Sequence, residues 1–309
     1  MKSTLGQMFS GSIAGLLLSA IFSIAVAGQE TVLVGGATGR QGNAVVDELL
    51  KRGYAVRGLT RSPDGKKALA LKEKGVEIVK GDYGDPDSLL AAMQGVSKMF
   101  FYSGFSLHEV EEGTNVVAAA RESGIKHLVY SSGAAADPAN GVKEAKKMQV
   151  ELEIVASGLP YTVFRPVAFM ENYDRQQKRI FRDGIVDSRA PDRMLHFIAI
   201  PDIGLLVAEA IDHPDEWADV AINVASDRMT VEAMVQIFST VMGQEISYKR
   251  MPLDEYLQQF PKPLRPLFRW YDEVGYEADV EGLRKKYPQL TTLEEYLRAS
   301  GWENWRPAQ

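Results

Sequence analysis

Gly36, Gly39 and Gly42 stand where an apolar run, Val32-Leu33-Val34, gives way to a helical pattern. Glycine has no side chain to hold a ligand at a distance, and this spacing aims backbone N–H groups and the positive end of a helix dipole at one point. The chemistry is that of a phosphate cradle. With a strand before it and an amphipathic helix after it, the turn reads as the pyrophosphate clip of a dinucleotide site, with a merely tight structural turn as the other use of the same residues. About 20 residues on, where a sheet that selects NAD(H) presents an acid to the ribose hydroxyls, the chain carries Arg61. A guanidinium pairs with a 2′-phosphate through two hydrogen bonds, which favours NADP(H) over NAD(H). Lys66 adds charge there, and a solvated loop arginine is the bland alternative. Asp82 is placed either to accept from an adenine amino group or to cap its own turn.

The elements that must position these groups follow from periodicity. Thr31 to Val34 is a buried strand, and Val45, Val46, Leu49 and Leu50 recur at helical spacing with Asp47, Glu48, Lys51 and Arg52 facing out, before Gly53 closes the helix. Further strands are expected at Ala55 to Thr60, Val76 to Lys80, Lys98 to Ser103, His127 to Ser131 and Tyr161 to Arg165. Ser103, at the end of the fourth, is placed among the cofactor contacts. Helices are expected at Lys66 to Lys74, from the Asp85-Pro86 start, from about Val110 to Glu122 and from about Lys143 to Ala156. Such alternation with short loops predicts an α/β fold, a doubly wound parallel sheet of Rossmann type. Beyond Pro166 the pattern loosens. Asp202 is expected to cap a helix over Ile203 to Ile211, Ala221 to Ala225 to form a strand, and Thr230 to cap a helix with Met234, Ile237, Phe238 and Val241 on its apolar face. The core is expected over about 31–166 plus 195–225. A small, mostly helical C-terminal lobe from about 167–194 and 226–309 lies over the carboxyl edge of the sheet, where ligands of such sheets bind.

At 309 residues the chain is long enough for one such domain, taken as 28–309. Its net charge of −6, without a basic stripe, argues against nucleic acid as a partner. The absence of cysteine removes disulfides and thiol chemistry, and His108, His127, His196 and His213 lack metal-ligand spacing, so no metal is expected. Residues 1–27 have the charged start, uncharged apolar middle (Ile13 to Val26) and Ala25-Val26-Ala27 ending of a secretory signal cleaved after Ala27. An uncleaved segment would instead tie the domain to a membrane. The expected location is thus exported or membrane-anchored, or cytoplasmic if the true start is Met8 or later. Nicotinamide cofactors are cytosolic, and no twin arginine marks export of a folded, loaded protein.

The run Gly36-Ala37-Thr38-Gly39-Arg40-Gln41-Gly42, the Gly81-Asp82-Tyr83 step, Ser157-Gly158-Leu159-Pro160-Tyr161-Thr162 leading to Arg165-Pro166, and Phe169-Met170-Glu171-Asn172 together resemble the NmrA-like family of atypical short-chain dehydrogenase/reductases. The likeness runs from about Thr31 to Trp302. It implies cofactor contacts by Gly36, Thr38, Gly39, Arg40, Gln41 and Gly42, and it maps the family's lysine onto Lys147. Short-chain reductases pair that lysine with a tyrosine four residues earlier that donates the proton. Here the tyrosine position is Lys143, and the serine position falls on Gly133, beside Ser131 and Ser132. A charged helix face is the plain reading of Lys143 and Lys146.

Two functions follow. In one, NADPH reduces a quinone or another activated small acceptor, whose product anion is a weak base and needs little help from an acid. In the other, the chain is a non-catalytic sensor whose NADP(H) occupancy alters contact with a regulatory protein partner.

Overall fold

The computed structural model describes residues 30–104, 106–139, 141, 142, 145–303, 305 and 306. Residues 1–27, expected as a signal or anchor, and Lys143 lie outside the described residues. In the first half, β1 (Thr31–Gly35), α1 (Arg40–Lys51), β2 (Ala55–Thr60), α2 (Lys66–Glu73), β3 (Glu77–Lys80) and α3 (Pro86–Met93) lead to β4 (Lys98–Tyr102), α4 (Glu109–Glu122), β5 (His127–Ser131), α5 (Lys146–Ser157) and β6 (Tyr161–Pro166). The second half contains β7 (Ala168–Phe169), α6 (Gln177–Asp183), β8 (Ile185–Asp187), β9 (Met194–Ile198), α7 (Ile200–Asp212), α8 (Pro214–Trp217), β10 (Val220–Val224) and β11 (Asp227–Thr230). It closes with α9 (Val231–Met242), β12 (Tyr248–Arg250), α10 (Leu253–Leu257), α11 (Arg265–Glu273), α12 (Val280–Lys286) and α13 (Leu293–Ala299).

Seven parallel strands form the central sheet in the order β3-β2-β1-β4-β5-β6-β10. Alternation along β1 shows why both faces are covered. Val32 and Val34 pack with Val45, Val46 and Leu49 of α1 and with Ile203 and Val207 of α7. Leu33 points the other way, among Leu89 and Met93 of α3, Val116 of α4 and Ile154 of α5. The strand order turns back between β1 and β4, so the loops leaving their carboxyl ends diverge and open a crevice. On one face α1 and α7 touch through backbone: a Cβ at Gly204 would lie 2.5 Å from the Ala44 carbonyl oxygen. Arg52 then clamps the far end of that helix pair to Glu209 at 2.7 Å and to Asp212.

Two local expectations change. Helix α7 begins at Ile200, so Asp202 sits in its first turn and is not its cap. Pro201 lacks an N–H and carries a helix-ready φ, which suits a first turn, and Glu171 Oε1 accepts from Ile200 N at 2.8 Å. Asp202 instead receives the N–H and hydroxyl of Thr291, at 3.1 and 2.9 Å, and ties the C-terminal segment to the core. The lobe also contains two small sheets, β11-β9-β7 and β12-β8, whose strands of two to five residues are too short for a periodic signature. Behind them Met170, Phe197, Phe238, Leu297 and Trp302 build a separate apolar core. Asp85 and Thr230 do cap α3 and α9 as their sequences require, accepting from Ser88 N and Ala233 N.

At the amino end of β5, His127 is 1% exposed. The Thr162 hydroxyl donates to the Trp217 carbonyl at 2.7 Å, so it must accept from His127, whose Nε2 therefore carries the proton at 2.8 Å. Among the described residues Nδ1 finds no partner. Burial pushes the imidazole down from 6.5 to about 4. A histidine depressed on folding lends stability that is complete above its unfolded value and disappears as the folded value is approached from above. Wild-type stability should therefore fall between pH 6.5 and about 4 by up to about 3 kcal/mol from this group alone. In urea unfolding, His127→Gln, which keeps a donor for Thr162, should lack that component; parallel pH curves for the two proteins would exclude it.

Candidate functional site

The carboxyl end of β1 delivers Gly36 in the left-handed region, at φ 64°, and Gly39 becomes the N-cap of α1. A Cβ at Gly42 would stand 2.7 Å from the Gly36 carbonyl carbon and 2.9 Å from Ala37 Cα, so this glycine lets the first turn of the helix press on the strand. A Cβ at Gly36 would meet the Tyr102 ring at 2.9 Å, and one at Gly39 would overlap the Tyr102 phenol oxygen. Tyr102, at the end of β4, is thus the floor of the glycine turn, a role invisible in the spacing of the glycines. Tyr83 braces Gly35 in the same manner.

Helix α1 has no side-chain cap and no acidic residue in its first turn, and Arg40 occupies its first position, exposed. Its leading N–H groups and the positive end of its dipole are therefore not met by a capping side chain or a first-turn acid. They open into a cleft of about 660 Å³ lined by Gly36, Thr38 and Gly39 on one side. Arg61, Lys66 and Lys67 line it beyond β2, and Asp82 and Tyr83 beyond β3. No carboxylate among the described residues pairs with Arg61. Asp82 makes the turn expected of it, Oδ1 accepting from Gly84 N at 3.0 Å, while still bordering the cleft. The Gln41 amide oxygen accepts from Ser131 Oγ at 2.7 Å, fastening α1 to the end of β5.

Ser103 and Lys147 lie together, but in a cluster beside the cleft rather than on its lining, with Ser103 buried and Lys147 partly so. Lys147 Nζ donates to the Ser103 carbonyl at 2.9 Å and to Ser103 Oγ at 3.0 Å, and it pairs with Glu109 Oε1 at 2.9 Å. Burial pulls the lysine down from its ordinary value, and the Glu109 charge opposes that. Gly133, at the expected serine position, borders this lysine: a Cβ there would lie 3.5 Å from Lys147 Cδ. Glu109 was not readable as a site residue, since an acid opening a helix ordinarily complements the dipole in solvent. Glu171, from the Phe169-Met170-Glu171-Asn172 run, anchors the start of α7, and burial raises its carboxyl.

The model of the NmrA-like family matches residues 28–297. The chain belongs to the NmrA-like family. An NmrA-like family domain-containing protein of Dictyostelium discoideum is 26% identical over 292 residues, which is 86% of this chain and 96% of that relative. Quinone oxidoreductase 2 of Escherichia coli is 25% identical over 71% of this chain and 77% of its own length. Among solved structures, the Citrobacter sp. triphenylmethane reductase complexed with NADP(H) superposes with a TM-score of 0.76 at 24% identity, covering 88% of this chain and 99% of that one. This likeness supports the Rossmann architecture. In this NmrA-like chain the glycine turn and Tyr102 form one packed unit, and they can be separated experimentally. Gly39→Ala should destabilise the fold by about 1–3 kcal/mol through overlap with the phenol. Adding Tyr102→Phe leaves the nearest atoms at 3.2 Å and should recover most of that loss. Chemical denaturation of the four proteins tests the pair, and simple additivity would show that the phenol is not what excludes the methyl group.

Proposed function

We propose that the chain binds NADP(H) and reduces a quinone or similarly activated small acceptor. The observation that carries this reading is the cleft itself: an uncapped, acid-free helix start at one point and the cations Arg61, Lys66 and Lys67 at another. A dinucleotide diphosphate suits the first and a 2′-phosphate the second. The E. coli quinone oxidoreductase likeness supports the choice of acceptor. When bound, the cofactor supplies a hydride.

Each part of the chain then has a task. Gly36 and Gly39 leave room for close backbone approach, and the N–H groups opening α1 stabilise the diphosphate charge. Arg61 forks onto the 2′-phosphate, and the border position of Asp82 suits the adenine edge. Lys147 takes, by family resemblance, the place of the lysine next to the reacting ring; with its three N–H groups engaged by Ser103 and Glu109, its task is to set a positive charge near where negative charge develops on the acceptor. Since Lys143 replaces the tyrosine of related reductases, acceptors whose reduced anions are weak bases are favoured over ketones, which need a proton in the transition state.

NADPH oxidation by purified protein should accelerate with small quinones and remain slow with simple ketones. Tight NADPH binding without acceleration across a quinone panel would replace this reading by the non-catalytic sensor. Arg61→Ala should weaken NADPH by roughly tenfold or more, matching a lost charge-assisted pair of about 1.5–3 kcal/mol, while barely changing NADH. Equal losses for the two cofactors, measured by fluorescence titration, would remove Arg61 from the phosphate site.

A further inference from the structure

We infer that Glu109 is a positioning residue that keeps Lys147 charged and fixed in one orientation beside the cleft. The inference rests on the NADPH-reductase reading for its functional consequence, but its physical content is independent of it. The proton positions in the cluster are determined by what each group can donate. A carboxylate only accepts, so Ser103 Oγ, 2.7 Å from Glu109 Oε1, gives its proton to Glu109. That hydroxyl then accepts from the Tyr130 phenol at 2.7 Å and from Lys147 Nζ at 3.0 Å, which fills both its lone pairs. The three N–H bonds of Lys147 go to Ser103 O, Ser103 Oγ and Glu109 Oε1. Apart from the bond from Lys147 to the Ser103 carbonyl, the set runs, directly or through the Ser103 hydroxyl, toward the Glu109 carboxylate.

The surroundings make this carboxylate the decisive counter-charge. Glu109 is 3% exposed and Tyr130 fully buried, so the ammonium has little water to replace a lost partner. On its own helix Lys147 faces Glu151, but that carboxylate is held by the Arg165 guanidinium through bonds of 2.6 to 3.1 Å. Lys146, the neighbouring cation, turns away to the carbonyls of Ser106 and Leu107. From β5 only the neutral Tyr130 ring faces the amine, at 5.9 Å. An unpaired amine in such a pocket sheds its proton at a lower pH, because burial penalises the charged form and nothing offsets it. Glu109 therefore extends the pH range over which Lys147 is cationic, and removing it moves the basic limit of that range downward.

The direct test is a lysine titration followed by NMR on protein carrying labelled lysine, with the Lys147 signal identified by its disappearance in Lys147→Arg. In Glu109→Gln the midpoint should drop by at least one pH unit, a tenfold change in proton affinity, and in Glu109→Asp by less. The functional arm is the NADPH dissociation constant, by fluorescence titration, and kcat/KM with a quinone, each between about pH 6 and 9. In Glu109→Gln both should worsen about tenfold per pH unit above the new midpoint while holding steady below it. Lys147→Arg added to Glu109→Gln should flatten the profile, because a guanidinium stays charged throughout. An unmoved midpoint in a folded Glu109→Gln protein overturns the inference; if that variant does not fold, an unmoved midpoint in Glu109→Asp does so. A shifted midpoint in a protein that binds no NADPH at any pH leaves the Glu109 assignment standing and overturns the reductase reading instead.

Discussion

Contact between the first turn of α1 and the backbone of Gly36 is the constraint from which the arrangement of the site descends. Only glycine at position 42 permits it, since any larger residue would drive a Cβ into the Gly36 and Ala37 backbone. The contact brings the positive end of α1 to the carboxyl edge of the sheet, where the strand order turns back and a crevice must open. It also sets the packing distance of the whole face, because α7 lies on α1 with Gly204 against the Ala44 carbonyl. A wider turn would lift α1, part it from α7, and break the link from Gln41 to Ser131 that joins the helix to β5.

Charge inside the molecule is handled in two different ways by neighbouring residues of α5. Arg165 and Glu151 neutralise each other through three hydrogen-bond contacts, a fork-on-carboxylate geometry that offsets the desolvation of both. The Lys147 cluster is less symmetric, with one cation and one carboxylate bridged by neutral hydroxyls of Ser103 and Tyr130. Both pairs bury ions, but a guanidinium cannot lose its charge in the accessible pH range, whereas an ammonium can. The first is therefore a fixed brace, and the second is one whose charge responds to its surroundings.

Much of this was legible in the sequence where a signal is local and repeated. The first six strands, the capping residues Asp85 and Thr230, the glycine turn and the cationic rim at Arg61 each depend on residues within a few positions of one another. What escaped was set by partners distant in sequence. Tyr102 cannot be connected to Gly36 and Gly39 until β4 is laid beside β1, and Glu109 cannot be separated from Glu111 and Glu112, which follow it, until α4 is packed. Asp202 reads as a cap because it is an acid near a helix start; in the folded chain Pro201 has already opened the helix and Thr291, 89 residues on, claims the carboxylate. The short strands β7, β8 and β12 owe their existence to pairing across the lobe, not to their own residues.

The position of β10 at the edge of the sheet has a consequence for the order in which the molecule can be completed. It pairs with β6, yet residues 167–219 separate the two strands, and those residues build part of the lobe and α7 before the pairing partner exists. Until residues 220–224 have been synthesised and docked, Thr162 to Pro166 present an unpaired strand edge to solvent. Closing a loop of this length is entropically costly, so one edge of β6 stays open until the end of the core has been made. Val220 to Val224 acts as the last stitch of the sheet, and a chain that ends before it would carry a sticky edge in place of a finished one.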